Sequence, residues 1–124
     1  MRSRGVKLGL LAHPENDELF FLLDNRGGLI AFLEKGASWA GILAFTSEDL
    51  ARAFVARSHV NAVEIAGIFK NDPDAVASIV REAKRRAIRN LLIDLDYAAG
   101  TCTEVHFEGE RLGAAHSRQF TPQH

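Results

Sequence analysis

The stretch Phe45-Thr46-Ser47-Glu48-Asp49-Leu50 constrains the fold more than any other part of the chain. An apolar run, Ala40 to Phe45, leads straight into a helix start. Thr46 or Ser47 can accept a hydrogen bond from a backbone N–H of the first turn. Glu48 and Asp49 put negative charge where the helix dipole is positive. A strand that passes directly into a capped helix opens a strand–helix–strand unit. Asn71-Asp72-Pro73-Asp74 is a second such start, with Asp72 as N-cap and Pro73 at the first helical position.

The rest of the pattern fits around these two helices. Leu50, Ala53, Phe54 and Arg57 mark one face of the first, and Val76, Ile79, Val80, Ala83, Ala87 and Ile88 form the apolar stripe of the second, with Asn90 as its stop. Leu19 to Leu23 and Leu29 to Leu33 flank the turn residues Asp24 to Gly28 and predict a β-hairpin. Glu34 to Ser38 is a further turn, and Trp39 to Phe45, Val60 to Ile65 and Leu91 to Leu95 are further strands. Thr101 to Phe107 alternates, with Thr103, Val105 and Phe107 on one face and Cys102, Glu104 and His106 on a wet one. Glu108-Gly109-Glu110 then turns the chain into a last short strand. The fold class is α+β: a single mixed β-sheet, two main helices in strand–helix–strand crossovers between parallel strands, and antiparallel hairpins at the ends. One domain is expected over residues 1–124, with 1–5 and about 114–124 as loose tails.

Composition bounds the function. The 47% hydrophobic and 25% charged residues are those of a globular domain. With 15 basic and 16 acidic residues the net charge is −1, which argues against a nucleic-acid binder. A lone cysteine, Cys102, excludes an internal disulfide. Met1-Arg2-Ser3-Arg4 mimics the start of a signal peptide, but Val6 to Ala12 carries Lys7 and ends at His13-Pro14. That run is too short for a signal core or a membrane span, so a cytoplasmic protein without membrane attachment is expected.

From Glu18 to Asp96 the chain resembles the SseB-like family of small bacterial domains. The residues that carry the resemblance are Phe45, Thr46, Ser47, Glu48 and Leu50, with Phe54 one turn on. Leu91-Leu92-Ile93-Asp94 lies where that family has an apolar strand, and Asp94-Leu95-Asp96 stands where it often closes with Asn-Pro. The resemblance implies a bacterial cytoplasmic protein and transfers no catalytic residues. The family is associated with serine sensitivity and, in some members, with secretion regulation.

Several groups of residues have both a chemical and a plain reading. Asp94 and Asp96, two apart at the carboxyl end of a strand, fit a ligand site or general base; they also fit a solvated strand end. Glu104, His106 and Glu108 share a face and could join the two aspartates around a divalent ion, or simply form a polar strand face. Cys102 and His106 lie roughly 13 Å apart at ~3.3 Å per strand residue, beyond the reach of a thiol–imidazole pair; His59 or His116 could approach the thiol instead, and the plain reading of a lone cysteine is a small buried hydrophobe. Arg81, Arg85 and Arg89 recur every four residues, a basic helix face that could meet an acidic partner or complement the helix dipole, with Glu82 paired to Arg86. Asn25-Arg26-Gly27-Gly28 could cradle an anion or serve a tight turn. His13, His59, His116 and His124 show no paired ligand spacing, so no metal or other cofactor is expected.

The first hairpin is apolar on both faces, so it needs cover on both. A symmetric homodimer burying at least one of Phe20, Phe21 and Phe32 is the expectation. The leading function is a non-enzymatic regulatory or protein-interaction domain. A small-molecule or metal-dependent enzyme using Asp94 and Asp96, and a weak nucleic-acid binder using Arg81 to Arg89, are the alternatives.

Overall fold

The computed structural model describes residues 17–33, 40–62 and 64–120. The expected tail 1–5, the run Val6 to Ala12, His13, the turn Glu34 to Ser38, Trp39 and His124 lie outside the described residues. The element order is β1 (Glu18–Leu23), β2 (Ala31–Leu33), β3 (Ala40–Phe45), α1 (Glu48–Ser58), β4 (Glu64–Phe69), α2 (Pro73–Arg85), β5 (Asn90–Asp96), β6 (Thr101–Glu108) and β7 (Arg111–Gln119). They form an α+β fold with one mixed seven-stranded sheet, ordered β4-β1-β3-β5-β6-β7, and β2 paired to β3. Among the described residues the one parallel pair is β3 with β5. Strands β3 and β4 run in the same direction but are not neighbours, because β1 lies antiparallel between them.

Residues 19–33 correct the expected hairpin. Phe20 and Phe21 pair with Phe45 and Ala44, while Ala31 to Leu33 pair with Ile42 to Ala40. Ile42 also pairs with Leu91 of β5, so β1 and β2 share the other edge of β3. They are two parts of one interrupted strand. Leu23 bridges Leu29, and Ile30 N–H donates to the Leu22 carbonyl, so residues 24–28 loop out and the chain resumes its direction. The loop holds a carboxylate of its own. Asp24 accepts from Gly28 N at 2.9 Å and Arg26 N at 2.8 Å, with Gly27 at φ 77°. Those two donors hold the Asp24 carboxyl below its usual range, and the N–H groups an anion would use are occupied.

The core forms on both faces of the sheet, one helix to each. Leu19, Phe21, Ile42, Ala44 and Leu91 pack with Ala83 and Ile79 of α2. Leu22, Leu43, Phe45 and Leu92 pack with Ala51, Phe54 and Val55 of α1. This division explains why β1 is apolar at every position from Leu19 to Leu23. Gly41 is required where it stands, because a Cβ there would collide with the buried Leu92 side chain.

Both helix starts form as expected. Ser47 is the N-cap of α1, in extended conformation, its Oγ accepting from Leu50 N at 3.1 Å. Ser47→Ala should therefore lower stability by about 1 kcal/mol, read from the denaturant midpoint. Asp72 caps α2, accepting from Ala75 N at 3.2 Å, with Pro73 following. The far end of α2 differs from expectation. Ala87 N–H donates to the Lys84 carbonyl and Ile88 N–H to that of Ala83, with Ala87 at φ 61°. This Schellman closure ends the helix before Asn90, which is instead the first residue of β5. Strand β4 starts at Glu64, not Val60, because its register is set on β1 from Leu23↔Glu64 to Glu18↔Phe69. Residues 114–119, expected within a loose tail, complete β7.

Candidate functional site

The carboxyl ends of β3 and β5, the parallel pair, open into a cavity of about 800 Å³. Open α/β sheets bind ligands at this position, beyond the carboxyl ends of parallel strands. One wall is α1, which contributes Leu50, Ala53, Phe54 and Arg57. The other is β2 and the end of β5, with Phe32, Asp94, Leu95, Asp96 and Tyr97. Phe32, Tyr97 and Phe120 form an aromatic group beside it, with ring centroids 5.8 to 6.2 Å apart. Phe45 and Phe54 meet at 5.3 Å across its floor.

The residues that mark the apolar face of α1 are thus the ones lining this cavity. The helix meets the sheet core through Ala51, fully buried one position further on, together with Phe54 and Val55. Leu50 is 46% exposed and Tyr97 36% exposed at the rim. A lining this apolar, with few polar groups, has the character of a binding pocket.

The structure brings Phe32, Asp94 and Asp96 together here, but both aspartates are engaged. Asp94 accepts from Thr46 N at 2.8 Å and Thr46 Oγ1 at 2.7 Å. Asp96 is exposed and accepts from Ala99 N at 3.0 Å, closing the turn to β6. The register shift between Ile93 and Asp96, with Asp94 at φ 55°, breaks the alternation that would have paired their side chains. Ser58 Oγ donates to the Phe54 carbonyl. Among the described residues, no histidine or cysteine lines the cavity.

His106 lies elsewhere, on the β6–β7 hairpin. The face of β6 expected to be wet is so only at His106: Cys102 is buried, and Glu104 is 2% exposed beneath His106, His116 and Arg118. His116 Nε2 lies 3.0 Å and His106 Nε2 3.6 Å from Glu104 Oε1. His116 had no partner in linear spacing; the Glu104↔His116 register supplies it. Burial, with the nearby Glu104 carboxylate, pushes the Cys102 thiol up to about 11. It stays protonated at neutral pH and is a poor nucleophile.

The aromatic candidates divide. Phe21 is in the core at 1% exposure and has no surface to offer a partner, which corrects its assignment to one. Phe20 is half-buried on the α1 side. The basic candidates do not form one helix face: α2 ends at Arg85, and Arg89 lies beyond the turn at Ala87. Arg81 pairs with Glu110 at 3.1 Å, and Glu82 pairs with Arg85 rather than Arg86. Arg86 donates to the Leu29 carbonyl at 2.7 Å.

No protein-family model matches the chain, and no curated protein matches it. Among the described residues no helix is long and apolar enough to cross a membrane.

Proposed function

We propose that this chain is a non-enzymatic interaction domain that self-associates through the cavity between α1 and the end of β5. The observation that carries the reading is the apolar stripe of α1, Leu50, Ala53 and Phe54, which lines an open cavity, with Leu50 46% exposed. Among the described residues nothing covers it, and apolar surface of this kind marks a contact. The occupant is a second copy of the chain. The patch holds both a recess and protruding apolar side chains, Leu50 and Tyr97, so a two-fold axis through it seats the Leu50 of one protomer in the cavity of its partner. The engaged aspartates and the apolar lining support an interaction role over a hydrolytic one. A bacterial cytoplasmic setting, a regulatory role and membership of the SseB-like family belong to the same proposal, supported by the apolar strand that enters a Ser47-capped helix.

Sedimentation at micromolar concentration tests the reading. The intact chain should run as a dimer and Leu50→Asp as a folded monomer, because Leu50 lies outside the core. A dimer indifferent to Leu50→Asp would move the interface elsewhere. A monomeric parent would overturn the reading and assign the cavity to the chain's own Val6 to Ala12 or to a different protein.

A further inference from the structure

The hairpin of β6 and β7 adds His116, which no linear spacing announces, to the Glu104 and His106 pair that strand spacing already places on one face. Glu104 and His106 are two residues apart on β6, and His116 stands directly across from Glu104 on β7. One oxygen and two imidazole nitrogens converge, all within 4.8 Å of one another. The rings stack with centroids 5.1 Å apart and planes at 27°, both presenting Nε2 to the same carboxylate oxygen.

In a tetrahedral site with metal–nitrogen and metal–oxygen bonds of about 2.0 to 2.1 Å, neighbouring ligand atoms lie about 3.3 Å apart. The two separations from Glu104 Oε1, 3.0 and 3.6 Å, bracket that value. The carboxylate is removed from water, at 2% exposure, and the two imidazoles and Arg118 face it, so its charge is met by cations on this side of the hairpin. We propose that Glu104, His106 and His116 form a binding site for a divalent transition metal ion. Two imidazoles and a carboxylate favour zinc among the biological ions, with the fourth position left to water or a small anion. Arg118 Nη1, 3.5 Å from the same oxygen, is the competing cation and weakens the affinity without blocking the imidazoles. The site lies on the hairpin, away from the cavity lining, and stands independently of the interaction reading.

The test uses the full chain, stripped with a chelator and titrated with zinc by calorimetry, then with cobalt to read the visible absorption of a tetrahedral ion. One ion per chain is expected. His106→Ala and His116→Ala should each weaken binding by roughly tenfold or more, the cost of losing a ligand being no less than that of losing its support. The double variant should lose binding and the cobalt spectrum. Both rings are about half exposed, at 54% and 51%, so the variants should keep the parent's circular dichroism. Zinc should raise the melting temperature of the parent and leave the double variant unmoved. His59→Ala should bind as the parent does. No zinc uptake, or uptake at full strength in the double variant, would overturn the site.

Discussion

Phe21→Ala should lower the unfolding free energy by about 3–5 kcal/mol, a large share of what a domain of this size has. Phe21 is 1% exposed in β1, between β3 and β4. Its cross-strand partners are Ala44 on one side and Ala66 on the other. Two alanines beside one phenylalanine leave the ring to fill the space between them beneath α2, so its removal opens a cavity that neither cross-strand neighbour can close. Phe32, half-buried beside the cavity, should behave differently. Phe32→Ala should keep the fold and lose a smaller amount, because the ring it removes is partly in solvent. Urea denaturation of both variants checks this. Equal losses would mean that the two rings share one core, and that the cavity wall is part of it.

The same comparison shows what could be seen in the residues beforehand. Local signals were legible. Ser47 and Asp72 cap helices because the oxygen and the N–H it accepts from are three residues apart, and nothing distant intervenes. Non-local choices were not. The turn at Asp24 to Gly28 has the composition of a hairpin, yet the chain turns back onto its own line because β3 offers ladder partners to both segments. The start of β4 shifted for the same reason: its pairing is set by β1, more than forty residues earlier. Ala87 could not be foreseen as a left-handed helix end, where glycine is the usual residue.

The candidate sites follow this division. The stripe Leu50, Ala53, Phe54 and Arg57 was visible as a helix face, and an apolar face is ordinarily a core face. That it also borders a cavity depends on Ala51 being the fully buried position, a choice of rotation that periodicity leaves open. Glu104 was visible as a polar strand residue. Its burial comes from His116 and Arg118 on the facing strand, and thus from the register after the Glu108-Gly109-Glu110 turn. His116 was therefore the residue that spacing could not supply.

Asp94→Ala should cost about 3 kcal/mol, from two hydrogen bonds to a charged acceptor whose donors are partly buried. Its carboxylate joins the end of β5 to Thr46, the residue between β3 and the Ser47 cap of α1. Thr46 donates from both its backbone N–H and its hydroxyl, so one side chain fixes the direction in which the helix leaves the sheet. Asp94→Asn should lose less, since the amide oxygen can still accept from Thr46 N and the hydroxyl can rotate to accept from the amide. Asp94→Gly should fall between them. It forfeits both bonds but relieves the left-handed backbone at φ 55°, a gain of about 1 kcal/mol. Denaturant midpoints rank the three, and hydrogen exchange at the Thr46 amide reads the local effect. The ranking bears on function as well as on fold. A carboxylate kept for catalysis or for holding a ligand is commonly a stability cost, and neutralising it commonly stabilises. If Asp94→Ala or Asp94→Asn were more stable than the parent, Asp94 would return as a chemical group, and the cavity beside it would be a substrate site instead of a seat for a second copy.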